Sequence, residues 1–487
     1  MTTAMGAALR RIQVGTALSA FGNGFTVPFT FIYVSQVRGL GAGTAGVVLA
    51  TFAVAALFVL PFTGRVIDQR GPVPVAVVGT VLAAAGSLGL GLSGSEPVVI
   101  AAAGALGAGI AVVQPSLATM IVWCSTTATR SRAFATQFFL NNLGLGLGGL
   151  LGGLLVDTAH PASFIRLFAI EAAMFLVLGA VIATVRMPHA PQVDGAVRSD
   201  GAASGGWRLL LGDRAMVMVS VLGFVMFFAC YGQFESGLSA FAVEVTRISP
   251  TTLGVALAAN TAVIVLAQFV VLRLVEQRRR SRVIAAVGLV WTVAWLVAGA
   301  SGLVHGSHAM AVAAIISTYA LFGLGEAMLA PTVAPLVADL APARMVGQYN
   351  SAFALVKQLA LALGPAVGGL MAGAGAYGAY IVMLVLCSLA ISVTALRMGR
   401  HLTLLQDSPH LAAARVVARS APRLPAGTDT DTTVDVVVDS AQAKDLDLDL
   451  DLDSRVTAAA DPAARIPAAP VGATAEARPE PAATVSR

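Results

Sequence analysis

Residues 64–71 read Gly64-Arg65-Val66-Ile67-Asp68-Gln69-Arg70-Gly71, and residues 273–278 read Arg273-Leu274-Val275-Glu276-Gln277-Arg278. The hexapeptides that begin at Arg65 and Arg273 share one pattern at an offset of 208 residues. Two further matches keep the same order at an offset of 216. Gly148-Gly149-Leu150-Leu151-Gly152-Gly153 aligns with Gly364-Pro365-Ala366-Val367-Gly368-Gly369, and Pro115-Ser116 aligns with Pro331-Thr332. Three colinear matches mean that one half of the chain repeats the other. Between them the chain is a succession of apolar stretches of roughly the 20 residues a helix needs to cross hydrocarbon.

Twelve such stretches fall at 13–35, 43–64, 73–93, 97–122, 133–155 and 163–186, then at 214–241, 250–272, 283–303, 309–337, 347–372 and 376–398. They are rich in Gly and Ala, which lets helices approach closely in lipid. The pattern predicts an all-α integral membrane protein with twelve transmembrane helices in two parallel six-helix repeats. Residues 1–186 and 214–398 are the two bundles, 187–213 a cytoplasmic central loop, and 399–487 a disordered cytoplasmic tail. Parallel repeats place a substrate site near the midplane, between the halves.

Composition narrows the function. Hydrophobic residues make up 57% of the 487 and charged residues only 11%, against about 25% in soluble domains. That shortage disfavours a secreted enzyme, a nucleic-acid binder and a disordered scaffold. The net charge of +5 comes from arginines gathered in alternate loops. With the N-terminus inside, inward loops and flanks hold sixteen arginines and outward loops hold three, Arg38, Arg166 and Arg247. By the positive-inside rule both termini are cytoplasmic and the protein is a multi-pass protein of the plasma membrane. The bias of arginine over lysine, with abundant Ala, Gly and Val, suggests a GC-rich bacterial genome. Cys124, Cys230 and Cys387 show no metal-ligand spacing, and no metal or cofactor site is expected. The tail is Ala-, Pro- and Asp-rich, with alternating Asp and Leu from Asp445 to Asp453. It offers no apolar face long enough to fold, so removing everything after residue 400 is expected to leave transport intact.

Gly64 through Gly71 resembles the signature between the second and third spans of major facilitator superfamily transporters, Gly-x-x-x-Asp-x-x-Gly followed by basic residues; here Pro72 and Val73 replace the basic pair. The resemblance covers roughly residues 8–398 and is greatest to the twelve-span bacterial drug:proton antiporters. The Gly-Pro-x-x-Gly-Gly pattern associated with exporters is intact in span 11, while span 5 carries Gly149 in place of the proline. The arginine often found in span 4 of those antiporters is absent, and Gln114 is the nearest polar residue. The resemblance implies that Gly64, Arg65, Asp68, Arg70 and Gly71 latch the cytoplasmic side in the outward-facing state. Read from chemistry, Asp68 can accept from N–H groups at a neighbouring helix start, and Arg65 and Arg70 can pair with it. The plainer reading is a solvated loop. Gly148, Gly152, Gly153, Gly364, Pro365, Gly368 and Gly369 are expected to serve helix packing, with Pro365 bending its helix.

Ionisable residues inside spans are costly and point to function. Glu235 and Glu326 are the candidates for proton coupling, because desolvation disfavours a charged carboxylate. Glu171 suits a structural role or a pairing with Arg166. Phe224, Phe228, Tyr231 and Glu235 share one face of an unbroken helix, and Phe21, Phe25, Phe29 and Tyr33 recur along span 1. Such stripes line a cavity or serve packing. The substrate-cavity candidates are Asn23, Phe25, Gln114, Phe228, Tyr231 and Lys357. The expected function is secondary active transport: proton-coupled, multidrug-type efflux of small amphipathic compounds by an antiporter using alternating access. The alternative is a proton-linked importer of a sugar, organic acid or peptide. A membrane-embedded enzyme is a remote third, since no catalytic constellation appears. The proton gradient replaces any cofactor. The partners are a small-molecule substrate and the lipid bilayer, with no nucleic acid, and the functional unit is a monomer.

Overall fold

The structure, a computed structural model, describes residues 2–157, 160–187, 206–234, 236–303 and 307–420. The first span is Thr2–Thr26 (α1) and Thr30–Ile32 (α2) with a π-helical turn at Tyr33–Val37, and its two parts meet at 42°. Gly41–Arg70 (α3), Pro72–Leu92 (α4), Glu96–Trp123 (α5), Thr127–Leu155 (α6) and Pro161–Ala183 (α7) complete the first half. A short helix, Gly206–Gly212 (α8), precedes the second. Span 7 is broken into Arg214–Ala229 (α9), Tyr231–Phe234 (α10) and Gly237–Glu244 (α11). Then come Pro250–Val275 (α12), Arg280–Ser301 (α13), His308–Leu329 (α14) with Val333–Leu340 (α15), Val346–Gly373 (α16) and Tyr377–Gly399 (α17). Leu404–Asp407 (α18) and Pro409–Ser420 (α19) follow. Among the described residues eleven helices are long and apolar enough to cross a membrane, or twelve with the bent first pair.

The repeat is visible in the packing. In the first half α1 packs on α6 and α7, α4 on α5 and α7, and α3 on α5. In the second half α9 packs on α16 and α17, α13 on α14 and α17, and α12 on α14. Each pair has its counterpart. Small residues make the equivalent seams possible. A Cβ on Gly148 of α6 would lie 2.0 Å from the Phe21 carbonyl of α1, and one on Gly364 of α16 would lie 2.7 Å from the Cα of Gly232. Gly152 and Gly368 sit in the same seams, against Phe25 and Gly237. Gly153 and Gly369 do not: both are exposed, Gly369 meets nothing within 4 Å, and Gly153 makes only an ordinary contact with Phe29. Pro365 lies inside α16, which runs through it unbroken.

The elements depart from the expected ones in three places. The loop expected after residue 64 is helix as far as Arg70, and the turn is confined to Gly71, whose φ of 84° suits only glycine. Span 7 is not one helix. It breaks at Cys230, where α9 gives way to α10 beside the Gly232–Gly364 contact. Hydrocarbon cannot satisfy the carbonyls freed by a break, and side chains do so instead. Trp295 Nε1 donates to Ala229 O at 3.1 Å, Gln233 Nε2 to Phe228 O at 3.0 Å, and Tyr319 OH to Phe234 O at 3.1 Å. The expected aromatic stripe assumed an unbroken helix; here Phe224 stacks on Phe228 while Tyr231 meets Phe227 and Phe234.

The third departure concerns the tail, whose first part is folded. Asp407 is 2% exposed and accepts from Ser281 N at 2.8 Å and Ser281 Oγ at 2.9 Å, capping the start of α13. Arg280 Nη1 donates to Gln406 O at 2.8 Å. The disorder expected of residues 421–487 lies outside the described residues. Composition placed the tail boundary too early because capping depends on single polar residues, not on an apolar face.

Two outcomes follow. Gly148→Val is expected to cost about 1–3 kcal/mol or more by overpacking, read as a lower melting temperature in detergent, while Gly153→Val leaves it unchanged. Truncation after Arg400 is expected to lower the melting temperature by removing the Asp407 cap, and truncation after Ala421 to leave it unchanged.

Candidate functional site

The two halves meet most closely at the arginine-rich end. Asp68, in the last turn of α3, points at the start of α16 in the other half. Its Oδ1 accepts from Gly347 N at 2.7 Å, and its Oδ2 accepts from Gln348 N at 3.0 Å and Gln348 Nε2 at 3.1 Å. A carboxylate here satisfies otherwise orphaned N–H groups and lies at the positive end of the helix dipole. Gly64 stands one turn earlier on the same face, and its missing side chain permits the approach: a Cβ would lie 2.6 Å from Gln348 Cα. Arg65 and Arg70 were expected to pair with Asp68. Both are exposed and form no ion pair among the described residues, because backbone donors already fill the carboxylate.

The repeat supplies a second contact of the same kind. Glu276, the counterpart of Asp68, takes Arg132 Nη2 at 3.4 Å, and Arg132 is the counterpart of Gln348. Leu272 stands where the first half has Gly64. A leucine there denies the close approach of backbones, so Glu276 reaches a side chain instead. A third link has no repeat equivalent: Asp339 of α15 pairs with both Arg130 of α6 and Arg280 of α13. Nothing in the local sequence marks Arg130 or Asp339 for this pairing. Asn350 Nδ2 donates to Thr119 Oγ1 at 3.2 Å deeper in the same seam.

Further into the span the polar groups change character. Lys357, in the middle of α16, is exposed. It stands 5.2 Å from the ring centre of Phe227, a cation–π contact. Gln114 is also exposed at mid-span. It follows by one turn Ala111, which packs with Ala354 and Leu355 of α16. An ammonium and an amide at mid-depth are tolerated only where water or protein serves them. Gln114 and Lys357 lie on α5 and α16, which pack on each other across the halves.

Glu326 of α14 is 3% exposed. Asn260 Nδ2 of α12 donates to its Oε1 at 2.8 Å, and Tyr231 of α10 and Lys357 of α16 stand near enough to act on its charge. The structure thus brings together three of the residues picked from sequence, Glu326, Tyr231 and Lys357, and adds Asn260, an amide within span 8. Phe228 is half-buried and belongs to the aromatic packing of span 7. Phe25 was expected to line the cavity; it is instead 3% exposed, seated against the backbone at Gly152 and edge-on to Phe21. Asn23 is half-buried on α1, and its Oδ1 has no partner. Glu235 lies outside the described residues. No group of three or more His, Cys, Asp or Glu among the described residues is placed to hold a metal ion.

A sequence model of the Major Facilitator Superfamily matches residues 13–317 and 236–421. The quinolone resistance protein NorA of Staphylococcus aureus is 22% identical over 143 residues, 29% of this chain and 37% of its own length. Multidrug resistance protein 1 of Bacillus subtilis is 24% identical over 174 residues, 35% of this chain and 43% of its own length. The alignments therefore span less than half of either relative. The E. coli fucose:proton symporter FucP superposes with a TM-score of 0.66 at 14% identity, over 80% of this chain and 98% of that one. The proton:xylose symporter XylE does so with a TM-score of 0.65 at 14% identity, over 84% and 99%. At such identities the likeness is one of fold.

Replacing Asp68 by Asn leaves one oxygen for three donors and is expected to lose about 1–2 kcal/mol at the sealed end. A cysteine introduced at Ser351, buried beneath Gly64, then reacts about tenfold faster with a thiol reagent in a background lacking Cys124, Cys230 and Cys387. An unchanged labelling rate would remove Asp68 from the seal.

Proposed function

The chain belongs to the Major Facilitator Superfamily, a family of membrane transporters and not of enzymes, and we propose that it is a proton-coupled exporter of small amphipathic compounds. The observation that carries this reading is the buried carboxylate of Glu326 near the accessible Lys357, whose ammonium lies over the Phe227 ring. The short alignments to a quinolone resistance protein and a multidrug resistance protein support the export direction. We place the arginine-rich end in the cytoplasm, so the conformation described is outward-facing, with Asp68, Glu276 and Asp339 holding the cytoplasmic side shut.

Alternating access then works as follows. Substrate enters from the cytoplasm or inner leaflet when the Asp68 and Asp339 contacts are open. Its rings stack on Phe227 and neighbouring aromatics. Closure of the cytoplasmic contacts exposes the site outward. Protonation of Glu326 from outside removes the negative charge that balances Lys357 and weakens the hold on a neutral or cationic substrate, which leaves. Proton and substrate compete, and that competition is what antiport requires. Glu235 is retained as a second coupling candidate in span 7. The plasma membrane is the proposed location, the proton gradient the energy source, and the monomer the working unit.

One observation favours a second reading. The accessible charge near Glu326 is a cation, Lys357. An anion bound to it would favour the neutral form of Glu326, so that proton and anion bind together. Reciprocal linkage then gives co-transport of an organic acid, not exchange.

Everted vesicles separate the two. With neutral and cationic amphiphiles, collapse of the pH gradient is expected to abolish uptake, and Glu326→Gln to abolish gradient-driven uptake while leaving substrate counterflow. Gradient-driven uptake by Glu326→Gln at the wild-type rate would remove Glu326 from coupling. Uptake of aromatic carboxylates into right-side-out vesicles, driven by external acid, would establish the co-transport reading instead.

A further inference from the structure

A second carboxylate is sealed inside the first half. Glu171 of α7 is 1% exposed. Ser87 Oγ of α4 lies 2.7 Å from its Oε2, and Thr26 of α1 stands close to it. Among the described residues no cation faces it. The Arg10 and Arg11 pair of α1 stands at the far end of that helix, and α4 carries no charged residue at all. Beyond the bend, Arg38 is spent on Tyr33 OH and Gly91 O, and Tyr33 OH itself donates to Gly91 O at 2.5 Å. On α7, Arg166 is exposed and bonds to Ala162 O.

The donors are too few for a charged group. Ser87 Oγ is also 2.9 Å from Phe168 O, and Thr26 Oγ1 is 3.2 Å from Asn23 O. The Ser87 hydroxyl has one proton and stands between the Phe168 carbonyl and Glu171. With Glu171 neutral, its own O–H donates to Ser87 and Ser87 donates to Phe168 O. With Glu171 ionised, the Ser87 hydroxyl turns to the carboxylate. Thr26 is the last residue of α1 before the 42° bend. Thr16, Ser19, Asn23, Thr26 and Thr30 recur at spacings of three and four, so they form a polar stripe along one face of this span. Asn23 is its one half-buried member, and the Oδ1 of Asn23 is buried without a partner.

We propose that Glu171 is a second proton-binding site, in the first half of the transporter, which exchanges its proton along the polar stripe of α1. The proton leaves Glu171 by way of the neighbouring Thr26 hydroxyl; the hydroxyls reorient and no other bond changes. Its use in transport rests on the proton-coupled reading above, but the protonation itself does not.

Infrared difference spectroscopy on the full chain in nanodiscs, from about pH 5 to about pH 9, tests it. A protonated-carboxyl C=O band is expected that fades as pH rises, is missing in Glu171→Gln, persists in Glu326→Gln, and moves in frequency when Ser87→Ala removes its hydrogen-bond partner. Should Glu171→Gln fail to fold, Ser87→Ala and Thr26→Val carry the assignment through their band shifts. A Glu171 band constant across the whole range would make it a fixed structural acid. The absence of any band sensitive to these variants would overturn the proposal equally. Loss of coupled transport in Glu326→Gln leaves this band untouched, so the two readings fail separately.

Discussion

Hydrocarbon gives a polar group nothing to bond to, and most features of this protein are answers to that one constraint. The break in span 7 survives because Trp295, Gln233 and Tyr319 each supply a donor to a carbonyl that the helix has released. Asp68 sits where two backbone N–H groups would otherwise be orphaned at the start of α16. Asp407 does the same service for α13. Of these, the Asp68 contact fixes where one half of the molecule meets the other.

The duplication sets the frame, and substitutions within it set the chemistry. Gly64 and Leu272 hold equivalent places, but only the glycine lets a helix start come within reach of a carboxylate, so one copy binds backbone and the other a side chain. Asn141 and Lys357 are equivalent as well. One half thus carries a neutral amide where the other carries a charge. The buried carboxylates are divided too. Glu326 is held by Asn260 in the second half, and Glu171 by the Ser87 hydroxyl in the first.

Much of this was legible in the chain. The apolar lengths marked the spans, and the repeated Arg-x-x-acid-Gln-Arg pattern marked the halves. The rarity of charge in lipid singled out Glu326, Glu171 and Lys357. Aromatic periodicity misled in two places. Phe25 recurs at helical spacing yet packs against the glycines of α6, and the stripe through Phe228 and Tyr231 is cut by the break at Cys230. Asn260 and Asp339 carried no periodic signal, so nothing local marked them as partners of Glu326 and Arg130.

The sequence by itself determined what depends on neighbours along the chain: span length, face periodicity, the duplication and the family. The tertiary structure alone decided what depends on partners far along it. Asp68 and the N–H of Gly347 are 279 residues apart, Ser281 and Asp407 are 126 apart, and Ser87 and Glu171 are 84 apart. A polar group buried in a membrane must find a donor or acceptor somewhere. Its own sequence states the need, but only the folded helices bring the answering group within 3 Å.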